Sequence, residues 1–207
     1  SELKGILREF ERQDVMVVPL KGPFLAERLY GATELRVSHD LDLLVAPSNL
    51  ERTEALLTAA GFTPGSPDDY HRQWYRKTTT VELHHDVDNP LAFDFHVEGA
   101  LRQTLESEFQ GQRCWQLAPA DELLFLCLHG ARHRFERLNL VLDLKLAFEK
   151  LAGGNQVPKM RPEVAPLGDL LTLGLAMAQR LEPGLKVSFT GCSSPNQAAR
   201  LNQLADR

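Results

Sequence analysis

The sequence predicts a mixed α/β fold followed by a helical C-terminal part, and three observations support this fold class. Short apolar runs alternate with amphipathic segments early in the chain, which is typical of alternating strands and helices. Beyond Pro119 the apolar residues recur at helical spacing. The 207 residues are 43 % hydrophobic and 25 % charged, a balance typical of globular domains. We therefore expect two domains, residues 1–115 and 116–207.

The chain is predicted to begin with a helix, a strand and a second helix. Apolar residues at helical spacing define the first helix, which ends near Arg12. The apolar, β-branched run at residues 15–20 predicts a buried strand. A turn at residues 21–23 leads into the second helix, because Pro23 suits the first helical position and Gly31 suits a helix end.

A second group of strands is expected in the middle of the chain. Residues 38–45 predict a strand, and a helix follows from Pro47. Glycine and proline predict a loop over residues 61–69. Two more strands are expected over residues 70–77 and 78–87, where aromatic and β-branched residues alternate with polar ones.

The remainder of the chain is predicted to be mostly helical. Leu101, Leu105 and Phe109 lie at the spacing of a further short helix. The pattern changes near residues 112–119, which is the basis for the predicted domain boundary. Three longer helices are then expected, over residues 121–134, 138–151 and 164–181.

Charge and composition argue against several classes of function. The net charge is −5 and the basic residues are scattered apart from a cluster at residues 132–137, so we expect no extended nucleic-acid surface. The three cysteines are widely spaced, which indicates neither a disulfide framework nor a cysteine zinc site and fits a reducing cytosol. No stretch approaches the roughly 20 apolar residues of a membrane span, and the N-terminus has no signal-peptide pattern. A cytoplasmic protein that does not enter a membrane is expected.

The most informative stretch is S-H-D-L-D-L-L-V at residues 38–45. Side chains alternate along a strand, so Asp40 and Asp42 are predicted to share one face. Neighbouring carboxylates raise each other's pKa unless a cation lies between them, and such oxygen ligands suit Mg²⁺ or Mn²⁺. The alternative is that both form the solvent face of an edge strand. On a later strand the same alternation places three polar side chains on one face: Glu82, His84 and Asp86.

These motifs together resemble the nucleotidyltransferase fold of the DNA polymerase beta superfamily, most closely its little-studied bacterial branch. The resemblance covers most of residues 15–145. It implies a small mixed sheet flanked by helices, and an enzyme that moves a nucleoside monophosphate from a triphosphate to an acceptor. It rests on L-K-G at 20–22, R-V-S-H-D-L-D-L-L-V at 36–45, V-E-L-H at 81–84, and L-A-P-A-D-E-L-L at 117–124 leading to His129, His133 and L-D-L at 142–144.

The resemblance also implies a metal site built from three carboxylates. Asp40 and Asp42 would bridge two Mg²⁺ or Mn²⁺ ions, which clamp the attacking and leaving oxygens of the reacting phosphate. Glu82 is the expected third ligand, with His84 or Asp86 as the alternative on the same strand face. The substrate would be a nucleoside triphosphate, with ATP as the first choice.

The triphosphate is expected to bind where the glycine turn meets a helix N-terminus, which favours anions. Four residues are the candidates for this contact: Lys21, Gly22, Arg36 and Ser38. Members of the superfamily usually carry serine or glycine after this glycine, whereas Pro23 offers neither a hydroxyl nor an amide hydrogen. Either Lys21 replaces the lost contact, or triphosphate binding is weak, or the protein is a non-catalytic relative.

A second wall of the site is expected from the helical part. A helix bearing His129, Arg132 and His133 would face the acidic strand and, with His84, line a cleft that excludes water. Two histidines four residues apart also suit zinc, but no H-E-x-x-H motif is present and helix packing is the alternative. Two functions remain open. One is an active nucleotidyltransferase whose acceptor is a small molecule, a protein or an RNA end; the other is a binding or regulatory protein, such as an antitoxin-like partner.

Overall fold

The chain divides into two compact units between Leu117 and Ala118. The first unit holds a mixed sheet and a separate β-hairpin, and the second unit is mainly helical. The structure is a computed structural model that describes residues 1–67, 71–87, 93–151, 156–157 and 159–189.

The described part of the first unit contains four α-helices and seven strands. The helices are α1 (Glu2–Arg12), α2 (Gly22–Tyr30), α3 (Leu50–Ala59) and α4 (Val97–Leu101). The strands are β1 (Val17–Pro19), β2 (Asp40–Val45), β3 (Thr63–Pro67), β4 (His71–Arg76), β5 (Thr79–His84), β6 (Leu105–Phe109) and β7 (Gln112–Gln116). Short 3-10 turns cover Thr33–Leu35 and Pro47–Asn49.

The first five strands form one mixed sheet in the order β1-β2-β5-β4-β3. Strand β2 pairs antiparallel with β1 and parallel with β5, and the remaining pairs are antiparallel. The parallel register sets Asp42 beside Glu82 and Leu44 beside His84. The predicted mixed α/β fold class, with helices flanking a small sheet, is confirmed by this arrangement.

Alternation along β2 decides which of its side chains enter the core. Leu41, Leu43 and Val45 are buried together with Val81 and Leu83 of β5. Helices α1, α2 and α3 and the β6–β7 hairpin contribute to the same core cluster. Since successive side chains of a strand point to opposite faces, the acidic residues of β2 are left on the other face of the sheet. Core packing therefore positions them.

Two secondary-structure predictions for this unit are wrong. Thr63–Pro67 is not a loop but an edge strand, in which the prolines are tolerated because one side of an edge strand lacks ladder partners. Leu105 and Phe109 belong to a hairpin with a turn at Gln110 and Gly111, both with positive φ. Residues four apart share one side of a helix and also of a strand, so their spacing did not distinguish the two.

The second unit packs three helices on one another: α5 (Pro119–Arg132), α6 (Leu138–Leu151) and α7 (Gly168–Gln179). Helices α5 and α7 approach closely because Gly174 faces Cys127, where a Cβ atom would collide with the sulfur. A 3-10 turn at Pro162–Leu167 precedes α7, and strands β8 (Gln156–Val157) and β9 (Ser188–Phe189) pair in parallel. Among the described residues, no helix is both long enough and apolar enough to cross a membrane.

Candidate active site

The turn between β1 and α2 lies against the start of the acidic strand. The backbone N–H of Leu20 donates to the carbonyl oxygen of Asp42 (2.9 Å), which extends the β1–β2 pairing into the turn. Gly22 has φ +65°, and a Cβ atom there would lie only 3.2 Å from the carbonyl oxygen of Asp40. The hydroxyl of Ser38 donates to that same carbonyl (2.8 Å). The site therefore needs glycine at position 22, for its backbone conformation and for its lack of a side chain.

Asp42 is buried at the centre of the site, with 1 % of its surface exposed. Its Oδ1 atom lies 2.9 Å from Nζ of Lys21 and 3.1 Å from Nε2 of His84, and both of these side chains are also buried. Burial by itself raises the pKa of Asp42, but Lys21 and His84 outweigh it and hold that pKa well below its usual range. The other oxygen, Oδ2, has no hydrogen-bond partner among the described residues.

Glu82 lies next to Asp42 across the parallel pair and is held by side chains of β4 and β5. Its Oε1 atom accepts a hydrogen bond from the amide of Gln73 (3.1 Å) and lies 3.9 Å from Nε2 of His71. Its Oε2 atom lies 3.7 Å from Nε2 of His84. The nearby side chain of His84 lowers the pKa of Glu82 against the opposing effect of burial. Glu82 is thus fixed with its carboxylate beside Asp42.

The electrostatic environment separates Asp40 from the other two carboxylates. Burial raises the pKa of Asp40, and the charge of Asp42 raises it further, while Lys21 opposes this only in part. For His84, burial lowers the pKa, but Asp42 and Glu82 outweigh burial and raise it above the usual value. The site is therefore an anionic cluster in which Lys21 and His84 stabilise the charge of Asp42 more than that of Asp40.

The donor set fits a divalent cation. Asp42, Glu82 and His84 each offer one ligand atom, and these atoms all lie within 4.8 Å of one another. The oxygen of Asp42 that lacks a hydrogen-bond partner is buried, which is costly unless a cation or donor reaches it. Carboxylate oxygens of this kind suit Mg²⁺ or Mn²⁺.

The remaining predicted site residues lie in several places. Arg36 is buried in the segment that leads to β2. His129, Arg132 and His133 belong to α5 and its C-cap in the second unit, where the ring of His129 contacts those of Phe125 and His133 at centroid distances of 6.1 and 4.7 Å. Within the described residues no group of three metal-ligating side chains includes either of these histidines. The zinc alternative thus gains no support from a third ligand.

Two residues of the site were missed from the sequence, His71 and Gln73. They pair with His84 and Glu82 in the β4–β5 hairpin, and the rings of His71 and His84 stack with centroids 5.3 Å apart. A signal was available, because a two-residue turn at Lys77 fixes the hairpin register and cross-strand partners point to the same face. Applying that register to residues 71–84 would have placed Gln73 opposite Glu82 and His71 opposite His84, on the same face of the sheet.

Comparisons with known proteins give one family and several solved structures. A family described as "Uncharacterised nucleotidyltransferase" matches residues 1–181. A search of curated proteins finds no match. The crystal structure of ANT(2")-Ia in complex with adenylyl-2"-tobramycin is similar with a TM-score of 0.56 and 13 % identity, covering 85 % of this chain and 94 % of that chain.

Two further structures show the same likeness. The solution structure of the antibiotic-resistance factor ANT(2'')-Ia has a TM-score of 0.55 and 12 % identity, covering 86 % of this chain and 91 % of that chain. The crystal structure of an antigenic nucleotidyltransferase-like protein from Paracoccidioides brasiliensis has a TM-score of 0.55 and 15 % identity, covering 92 % of each chain. At these identities the likeness concerns the fold.

Proposed function

The chain belongs to the uncharacterised nucleotidyltransferase family, and on this premise we propose that it transfers a nucleoside monophosphate from a nucleoside triphosphate, ATP in the first instance, to an acceptor. The resemblance predicted from the sequence is confirmed by the family match. The observation that carries the proposal is the pairing of Asp42 with Glu82 across β2 and β5, where one buried oxygen of Asp42 has no hydrogen-bond partner among the described residues.

We assign the metal ligands of this reaction to Asp40, Asp42 and Glu82, with Mg²⁺ or Mn²⁺ as the ion. A bound ion at this place would neutralise charge on the reacting phosphate oxygens. Lys21 and His84 hold Asp42 in position through its Oδ1 atom. Gln73 does the same for Glu82, so the carboxylates are oriented before any substrate arrives.

The triphosphate is assigned to the glycine turn at the start of α2. Gly22 lets the turn pack closely on the acidic strand, and the N-terminus of α2 attracts negative charge. Pro23 removes one amide donor from this turn. We propose Arg36 and Ser38, which precede the acidic strand, for the compensating contacts. To donate to a phosphate, the hydroxyl of Ser38 would have to leave the carbonyl oxygen of Asp40.

We propose three classes of acceptor for the nucleoside monophosphate: a small molecule, a protein hydroxyl or an RNA end. ANT(2")-Ia was crystallised with an adenylylated tobramycin, which makes a small hydroxyl-bearing molecule the first acceptor to test. A non-catalytic binding or regulatory role is the second candidate. The observations that favour it are Pro23 in the phosphate turn and the buried cation of Lys21 already bound to Asp42.

Transfer is tested with α-labelled nucleoside triphosphates and Mg²⁺ or Mn²⁺, in the presence of a cell extract separated into small-molecule, protein and RNA fractions. We expect one fraction to become labelled with the wild type and with Asp14→Asn, a matched control whose aspartate is exposed. Asp42→Asn is expected to label none. Absence of label in all fractions and with tobramycin would favour the non-catalytic candidate.

Metal binding is tested separately by thermal unfolding. A ligand that binds only the folded state raises the melting temperature. Mg²⁺ or Mn²⁺ should therefore stabilise the wild type and Asp14→Asn, but not the double variant Asp40→Asn, Asp42→Asn. A double variant that keeps the full shift would show that the ion binds elsewhere.

A further inference from the structure

We propose that the ammonium group of Lys21 takes the place of one of the two divalent ions on Asp42, so that the active site holds a single ion. The inference rests on the proposed function and concerns how its metal site is built. Lys21 is buried, with 9 % of its side chain exposed, and its Nζ atom lies 2.9 Å from Oδ1 of Asp42. In the two-ion site that the family resemblance implies, Asp40 and Asp42 would both be bridging ligands.

A bridging carboxylate gives one oxygen to each of two ions. In Asp42, Oδ1 lies within hydrogen-bond distance of both Lys21 and His84. An ionised carboxylate only accepts hydrogen bonds, so the imidazole donates to it from Nε2. Two donors occupy the two lone pairs of Oδ1, and only Oδ2 is left for an ion. Asp42 is therefore a ligand of one ion and not a bridge between two.

The backbone holds Lys21 in this position. The residue before it, Leu20, donates its N–H to the carbonyl oxygen of Asp42. The residue after it, Gly22, is confined by the carbonyl oxygen of Asp40, 3.2 Å from where a Cβ would lie. Both neighbours of Lys21 in the chain therefore contact the backbone of the acidic strand. The short distance between Nζ of Lys21 and Oδ1 of Asp42 follows from these backbone contacts and does not depend on a bound ligand.

The formal charges of the site agree with one ion. The three carboxylates carry −3, and Lys21 brings the sum to −2, or to −1 when His84 is also protonated. One divalent cation brings the sum to zero or to +1 before nucleotide binds. A second would leave an excess of positive charge in a site whose central carboxylate is 1 % exposed, and buried unpaired charge is unfavourable.

The test counts Mn²⁺ ions bound per chain without nucleotide, by following the electron paramagnetic resonance signal of free Mn²⁺ during titration of the full chain. We expect one ion for the wild type and for Lys21→Arg, which keeps the charge. Lys21→Met frees Oδ1 of Asp42 and removes a charge that repels cations. The variant should therefore bind a second Mn²⁺ ion, or bind the first ion with an affinity at least about tenfold higher than that of the wild type. Lys77→Met, at an exposed lysine, should behave as the wild type.

A measurement on the wild type keeps the inference testable if Lys21→Met does not fold. Reductive methylation modifies accessible amines, and its sites are read by peptide mass spectrometry. Lys21 should stay unmodified both with and without Mn²⁺, while Lys77 is methylated in both conditions. Methylation of Lys21 that begins when Mn²⁺ is added would show that the ion displaces the lysine, which overturns the inference.

The possible failures are distinguishable. A wild type that transfers nucleotide but binds two Mn²⁺ ions overturns the role of Lys21 and leaves the proposed function in place. A folded Lys21→Met with wild-type stoichiometry and affinity also overturns the role of Lys21. If neither the wild type nor Lys21→Met binds Mn²⁺ and no label is transferred, the metal site and the proposed function both fail.

Discussion

Replacement of Asp42 by asparagine removes the charge that organises the buried cluster. The variant keeps the size of the side chain, so packing changes little. It leaves the Lys21 ammonium, with 9 % of its side chain exposed, without the carboxylate that lies 2.9 Å away. His84 loses its shorter carboxylate contact but keeps Glu82 at 3.7 Å. The cost therefore falls mainly on Lys21.

The magnitude follows from the burial of both partners. Removing one partner of a buried ion pair costs about 3–5 kcal/mol, because the remaining charge is left uncompensated away from water. We expect about 3 kcal/mol for Asp42→Asn, at the lower end of that range, because His84 retains a carboxylate. That is a large fraction of the roughly 5–15 kcal/mol that stabilises a typical domain.

Urea denaturation in buffer with a chelator measures this effect. Both tryptophans of the chain, Trp74 and Trp115, lie in the first unit, so their fluorescence follows the unfolding of the unit that contains Asp42. Asp14→Asn is the matched control and should stay within about 0.5 kcal/mol of the wild type. A loss below about 1 kcal/mol for Asp42→Asn would refute the ion-pair account. The double variant Lys21→Met, Asp42→Asn should recover part of the loss, because no buried charge is then unpaired.

Three further predictions concern single residues. Gly22→Ala should lower stability by at least about 1–2 kcal/mol, the cost of a left-handed conformation, and should displace the carbonyl of Asp40; unchanged tryptophan-monitored unfolding would contradict this. Glu82→Gln should abolish transfer of label while circular dichroism stays that of the wild type; retained transfer would mean that the third ligand is another residue. Burial raises the pKa of Cys114 to about 11, so iodoacetamide at pH 8 should leave this thiol unmodified in the folded protein. Rapid alkylation of Cys114, read by peptide mass spectrometry, would contradict its burial.

The elements with a strong local signal were predicted from the sequence. Helix α2 is an example, since Pro23 and Gly31 mark its two ends and Gly31 adopts the left-handed conformation expected of a helix terminus. The edge strand β3 was not predicted, because its sequence T-P-G-S-P carries the composition of a loop. Pairing with β4 sets its conformation, and that pairing lies outside the local sequence pattern.

Strand alternation predicted which side chains of β2 lie on the face that carries the site. Alternation placed Asp40 and Asp42 on the face opposite Leu41 and Leu43, and the burial of the two leucines agrees with this. The contact of Lys21 with Asp42 was not predicted, because it depends on β1 lying beside β2. A strand pattern states which face a side chain takes but not which strand lies next to it.

The position of the transferred phosphate is the most direct test of the central claim. The protein is incubated with an unlabelled sample of the acceptor fraction that the transfer assay identifies, or with tobramycin. The ATP is labelled at either the α or the γ phosphate. The account predicts transfer of the α label and none of the γ label by the wild type and Asp14→Asn, and no transfer by Asp42→Asn. Transfer of the γ label, or undiminished transfer of the α label by Asp42→Asn, would contradict nucleoside monophosphate transfer at this site.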